Sequence, residues 1–336
     1  MPLGLMAQST VFYDDFSTGS DALNQTYSGQ TYGSPSGAQS YTTWNIAGQK
    51  NFLPSAITTS SGGGYLRMTI GGTTSSGWGE VQALFTSSPV QLLSAGQYIS
   101  LAMTFTNTYG LLNGSADCVW NGLYNANQSA PIAGLQNSGL TSATPSAYAT
   151  GYAQNWKGFI GRSQMSGYNN QVFTRQPQTG AASGNQAVLG NNSSSGVGST
   201  PTGAAVASGS NGGSTTTLTA GGVYSLLMTV TLNADGSETV ANSLWSGSIA
   251  GDTFANGGNE IYSISSAEIL NTSTNFVTTF DAMAFGWRHA NGSSNYAPIM
   301  DISEVQVIAD VPEPASAVLF GFGALALAMG YRRIRR

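Results

Sequence analysis

Along most of this chain apolar and polar side chains alternate in short runs, and the runs end in glycine, serine, asparagine or proline. A period of two is the spacing of a strand with one buried face. Runs at 11–16 and 65–70 are short and rich in β-branched or aromatic residues, 80–85 alternates weakly, and 97–106 is longer. Further strands are expected at 118–124 and 152–160. The most regular run is 224–232, where Tyr, Leu, Met, Val and Leu alternate with Ser, Leu, Thr and Thr. Asn233, Ala234, Asp235, Gly236 and Ser237 follow, then a second run at 238–245. The Asp-Gly pair supplies the positive φ of a tight hairpin, so 224–245 is predicted to be two antiparallel strands. Runs at 276–287 and 300–308 are expected to close the fold.

Many short strands, glycine-rich turns and no helical period ahead of the tail predict an all-β sandwich or barrel over residues 8–310. Between 177 and 222 the chain is rich in Gly, Ser, Thr, Asn and Ala, with few large apolar residues. That composition favours a long, partly ordered excursion, inserted in one domain or linking two. Insertion is preferred, because neither flank alone has enough strands for an independent sandwich.

The last 26 residues depart from this pattern. Residues 315–331 carry no charge, and Val318, Leu319, Phe320, Phe322, Leu325, Leu327 and Met329 supply their bulk. As a helix they would span roughly 25 Å, at the lower edge of a membrane span. Arg332, Arg333, Arg335 and Arg336 would stop transfer and stay cytoplasmic, so the preceding domain is expected outside the cytoplasm. Pro312 and Pro314 keep that helix from running back into the domain. The order Val311, Pro312, Glu313, Pro314, apolar helix, arginine cluster resembles the PEP-CTERM sorting signal of Gram-negative bacteria that make exopolysaccharide. The resemblance implies export, transient retention in the inner membrane, and recognition near Pro-Glu-Pro by an exosortase-type membrane protease. At the other end, residues 1–7 resemble the end of a signal peptide cleaved after Ala7, and an export leader is expected to begin upstream.

Composition fits an exported protein. Charged residues are 7% of the chain, where about a quarter is usual, while 40% is hydrophobic and 10% aromatic. Low charge with ample aromatics is not the signature of disorder. Ahead of Val311 stand six basic and fourteen acidic residues, a formal charge of −8. Without a basic patch, nucleic acid is not an expected partner. Cys118 is the sole cysteine, so no disulfide forms within the chain, and its apolar setting predicts a buried, inert thiol.

Several fragments look like parts of the concanavalin A-like or laminin G-like jelly roll, a β-sandwich. They are Tyr13-Asp14-Asp15-Phe16-Ser17, Met103-Thr104-Phe105-Thr106-Asn107-Thr108, Asn121-Gly122-Leu123-Tyr124-Asn125, the Asp235-Gly236 turn, and Met300-Asp301-Ile302-Ser303-Glu304-Val305. Such folds include glycoside hydrolases, whose retaining chemistry needs two carboxyl groups about 5–5.5 Å apart. The expected Glu-x-Asp-x-x-Glu is absent: Val81-Gln82-Ala83 follows Glu80, and Val305-Gln306-Val307 follows Glu304. Asp301 and Glu304, three apart, would face opposite sides of a regular strand. His289, the sole histidine, stands in a loop-like setting without the partners of a serine triad or a zinc site. No catalytic residue is therefore assigned.

Two binding chemistries remain. Asp14, Asp15 and Asp301 fall on the first and last strands and are candidate calcium ligands, although an opening, solvated loop is the preferred reading of the first two. No other cofactor is implied. Trp78, between glycines, and Trp156, between Asn155 and Lys157, are expected to be exposed and are candidate platforms for sugar rings. Trp120, Trp245 and Trp287 sit in strand patterns and are expected in the core. The expected protein is thus an exported, non-catalytic component of the cell surface, exopolysaccharide or biofilm matrix, with carbohydrate as its candidate ligand. The alternatives are a glycoside hydrolase or lyase acting on polysaccharide, and a self-associating surface subunit.

Overall fold

A computed structural model of the chain describes residues 9–16, 45–48, 52–58, 64–70, 77–109, 117–127, 129, 152–165, 170–177, 188–189, 205–209, 216–248, 259–289 and 299–310. Their strands are β1 (Ser9–Asp14), β2 (Asn45–Gly48), β3 (Phe52–Thr58), β4 (Tyr65–Ile70), β5 (Gly77–Leu84), β6 (Val90–Gln91), β7 (Tyr98–Tyr109), β8 (Cys118–Asn125) and β9 (Lys157–Gln164). They continue as β10 (Asn170–Arg175), β11 (Ala205–Gly209), β12 (Gly222–Leu232), β13 (Glu238–Ser246), β14 (Asn259–Ser265), β15 (Thr279–Phe280), β16 (Ala282–His289) and β17 (Ile299–Ala309). No α-helix occurs among the described residues, and no helix there is long and apolar enough to cross a membrane. The expected leader at 1–7, the sorting residues 311–314, the span 315–331 and the arginine cluster lie outside the described residues.

Two antiparallel sheets make the body. One runs β14-β13-β12-β7-β17-β4-β3, with β1 also on β17; the other runs β11-β10-β9-β8-β16-β5-β2. Strands from before 177 and after 222 are interleaved in both. The first and last strands pair, Asp14 lying opposite Val305. The predicted hairpin is β12 and β13 in unbroken register from Tyr224–Ser246 to Leu232–Glu238, and Gly236 at its turn has φ of 81°.

The sheets pack face to face over Leu101, Met103 and Phe105 of β7, Leu226, Met228 and Val230 of β12, and Val305 and Val307 of β17. From the seven-stranded sheet come Val119 and Leu123 of β8 and Phe285 and Trp287 of β16. Alternation sends the neighbours of those residues to the sheet's outer face, where Cys118, Trp120, Tyr124, Ile160, Phe173, Ala282 and Ala284 form a second buried cluster. Ala126, Ala153, Trp156, Val188 and Leu189 cover it. The seven-stranded sheet is therefore buried on both faces, with a third layer over its outer side.

Two expected strands and one expected loop residue take other forms. Residues 152–160 begin as a 3-10 turn at Tyr152–Asn155, closed by the Trp156 N–H on the Ala153 carbonyl, and the strand starts only at Lys157. The run at 276–287 is broken, because the Val277 N–H is held by the Glu238 carboxylate and Asp281 separates β15 from β16. His289 ends β16, paired with Gly77, and is not in a loop.

Candidate functional site

Antiparallel register lines up the outer face of the seven-stranded sheet in transverse rows. Glu80, Gly286, Trp120, Arg162 and Gln171 form one row across β5, β16, β8, β9 and β10. Gln82, Ala284, Gly122, Ile160 and Phe173 form the next, then Leu84, Ala282, Tyr124, Gly158 and Arg175. Small residues thus fill β16, with a carboxylate and an amide on one side and two large aromatics on the other.

This face holds polar groups that are wholly withdrawn from solvent: Glu80, Gln82 and Arg175 are each at 0% exposure. The Glu80 Oε1 accepts from Gln82 Nε2 at 2.6 Å and from the Val188 N–H at 2.8 Å, and its Oε2 accepts from the Leu189 N–H at 2.9 Å. Tyr124 Oη donates to the Val188 carbonyl at 3.1 Å, and its ring lies 5.6 Å from that of Trp156. Arg175 Nη1 donates to the Trp156 carbonyl at 2.5 Å. Burial pushes the Glu80 carboxyl above the usual carboxylate range, against its hydrogen bonds to Gln82, Val188 and Leu189 and the Arg175 charge. Burial also brings Arg175 down to about 10 and lifts the Tyr124 phenol well above its ordinary value. Arg162 lies over the Phe173 ring and donates to Gln171.

The candidate residues read from sequence are scattered with respect to this face. Trp156 does not stand exposed: it is fully buried in the covering layer, its indole N–H on the Ser129 carbonyl at 3.1 Å, so its ring faces are closed to a sugar. Trp78 is on β5, its backbone opposite Arg288. Trp120 and Trp287 are fully buried as expected, while Trp245 is half-buried and donates to Ser243 Oγ. The candidate calcium ligands do not converge. Asp301 accepts from Arg67 Nε and Nη2 at 2.7 Å each and from Thr108 Oγ1 at 2.8 Å. Asp14 accepts from the Phe16 N–H at 2.7 Å. Among the described residues no three His, Cys, Asp or Glu side chains come together to hold a metal. Cys118 is buried and in no disulfide among the described residues, and burial pushes its thiol up to about 12, which favours the protonated, inert form.

Glu80, Gln82, Tyr124 and Arg175 are the residues that motif reasoning passed over. Their signal was alternation: Glu80, Gln82 and Leu84 fall on one face of β5, while Val81 and Ala83 fall on the other. One carboxylate stands in the three rows, and both its oxygens are occupied. The arrangement can anchor hydrogen-bond donors; it lacks the second carboxyl group that glycoside hydrolysis uses.

Residues 310–336 match the PEP-CTERM protein-sorting motif. That match implies export to the cell envelope. No curated protein matches the chain in sequence. Among solved structures, the chain is similar to peanut lectin, at 11% identity over 90% of this chain and 97% of that one, with a TM-score of 0.38. It is similar to lectin I-B4 from Griffonia simplicifolia, at 15% identity over 79% and 93%, with a TM-score of 0.35. It is also similar to an endo-1,3-beta-glucanase from Streptomyces sioyaensis, at 12% identity over 93% and 100%, with a TM-score of 0.38. Similarities at these levels assign neither a ligand nor an activity.

Proposed function

We propose that this is an exported, non-catalytic protein of the cell surface or extracellular matrix, structural or adhesive in role, with surface or matrix carbohydrate as its ligand. The observation that supports the reading is the sorting motif at residues 310–336, which sends the domain to where surface and matrix carbohydrate lies. Glu80, the one carboxylate in the three rows, is buried with both oxygens held by the protein's own donors, which supports the non-catalytic part. The sorting motif supports a precursor held in the inner membrane with its domain outside the cytoplasm, then processed near Pro312-Glu313-Pro314 by an exosortase-type protease. The mature form would be surface-bound, released or held in exopolysaccharide.

Calorimetric titration of the detergent-solubilised full chain with exopolysaccharide from the producing cells tests the ligand. Saturable binding without release of reducing sugar is the expected result. Absence of binding removes the carbohydrate reading, and released sugar overturns its non-catalytic part.

A further inference from the structure

The point at which the chain leaves the sandwich decides which end of it faces a membrane. The last strand, β17, runs to Ala309, and the Asp310 N–H donates to the Tyr98 carbonyl at 3.0 Å. Tyr98 opens β7 and lies opposite Thr231, near the end of β12. Three turns cap that same end. Residues 92–97 are tied to β12 by the Gly96 N–H on the Leu232 carbonyl, at 2.7 Å. The β12–β13 turn follows Leu232, and a Cβ on its Gly236 would touch Asn271 Nδ2. Glu238 and Ile269 exchange backbone hydrogen bonds at 2.8 and 2.9 Å, which sets the turn after Ile269 beside the hairpin.

Among the described residues, the two most exposed large hydrophobic side chains stand on these turns: Leu93 at 74% and Leu270 at 57% exposure. Local structure turns both outward. The Leu93 and Ser94 N–H groups donate to Oε1 of Gln97 at 2.5 and 2.9 Å, and Gln97 is itself buried. Leu92 points into the core, so Leu93 points away from it. Ile269 is likewise in the core, and the Leu270 carbonyl closes the next turn on the Ser273 N–H at 2.8 Å. Single exposed leucines are ordinary on a protein surface. Two of them on the end from which an apolar segment departs have a nearby apolar phase to enter.

Only residues 311–314 separate Asp310 from the apolar run at 315–331. Fully extended, the step from 310 to 315 covers no more than about 18 Å. The headgroup layer takes roughly 5–8 Å of that, so with 315–331 in the bilayer the three turns are held close to its surface. We infer that the end of the sandwich bearing Leu93 and Leu270 docks on the membrane in the precursor, both leucines entering the interfacial layer of the lipid. This rests on the membrane-held precursor proposed above and adds how the domain sits upon it. The turns carry Asp235 and Glu268 and no Lys or Arg, so the contact is apolar and suits neutral lipid better than anionic lipid. The short tether makes a weak contact intramolecular and so populates it. Two leucines alone do not hold a domain on a bilayer, so cleavage of the tail also ends the docking.

A fluorophore placed at each leucine tests the contact in the full-length protein. Leu93→Cys, Leu270→Cys and Val223→Cys are each labelled with an environment-sensitive dye and reconstituted in phosphatidylcholine vesicles containing spin-labelled lipid. Cys118 is buried, and wild type treated in the same way gives the background. Val223, exposed at the other end of β12, lies nine residues from Leu232, roughly 30 Å along the strand. Dyes at 93 and 270 are expected to shift to the blue and lose intensity to the spin label, while the dye at 223 keeps both its colour and its intensity. The same response at all three positions in vesicle-bound protein overturns the docking and leaves the membrane-held precursor standing. A blue shift at 93 and 270 without quenching by the lipid means a protein contact, and overturns lipid as the partner. Failure of the full-length chain to float with the vesicles removes the membrane-held precursor, and the docking with it.

Discussion

Asp301 accepts from two guanidinium nitrogens of Arg67 and from Thr108 Oγ1, which leaves little of its carboxylate for a cation. Hydrogen bonds to charged groups contribute about 1.5–3 kcal/mol, so Asp301→Ala is expected to lower stability by that order in a denaturant titration. Millimolar calcium, or a chelator, is expected to leave the melting temperature of the wild type unchanged. A calcium-dependent rise would show that ligands for the ion come together after all. Gly158 is constrained differently. A Cβ there would press on the Leu123 carbonyl oxygen and the Tyr124 Cα, both backbone. Overpacking typically costs about 1–3 kcal/mol, and Gly158→Ala is expected to fall in that range. Gly122→Ala would meet the hydroxyl and ring edge of Tyr124, which is fully buried and bonded to the Val188 carbonyl. A loss of the same order is expected there in a thermal melt, and an unchanged melting temperature would contradict the packing described for β8 and β9.

Strands that end in a turn of distinct chemistry were legible, and strands without bulk were not. The β12–β13 hairpin was read from a nine-residue apolar and polar run and an Asp-Gly turn, and β4 was read to its ends. By contrast β11 is Ala-Val-Ala-Ser-Gly within a stretch whose composition reads as loop, and β14 is mostly exposed, with little apolar alternation to show. The outer-face site was hidden for another reason. Glu80 lacks a second carboxylate nearby, and its partners Val188 and Leu189 lie more than a hundred residues away, in the least strand-like part of the chain. Trp156 has polar neighbours in sequence, yet a covering layer buries it, and no local pattern reports such a layer. Two strand carboxylates also carry a pH response. Burial pushes Glu238, at the start of β13, up to about 8, with the Val277 N–H and Lys157 drawing it the other way. Burial and the Asp15 charge push Glu304 of β17 up to about 7. Both folded values exceed the unfolded value of about 4.3, so the fold favours the neutral form. Their stabilising contribution is full below the unfolded value and is lost as pH rises through 7 and 8. Thermal melts are expected to give a higher melting temperature at pH 5 than at pH 8.5. Glu238→Gln is expected to flatten that difference, and an unaltered profile would mean that Glu238 is not buried as a neutral acid.

At the scale of the whole molecule, a domain of low charge meets a tail with four arginines, and the two halves of the account meet there as well. The two-sheet body does not say where in the cell it is presented. The sorting motif at 310–336 supplies that, because it implies export to the cell envelope. The most direct measurement follows the protein, in its own cells, with and without residues 311–336. The full-length protein is expected in the surface or matrix fraction, and the shortened one is expected to lose that retention. An unchanged location would contradict the account at its centre.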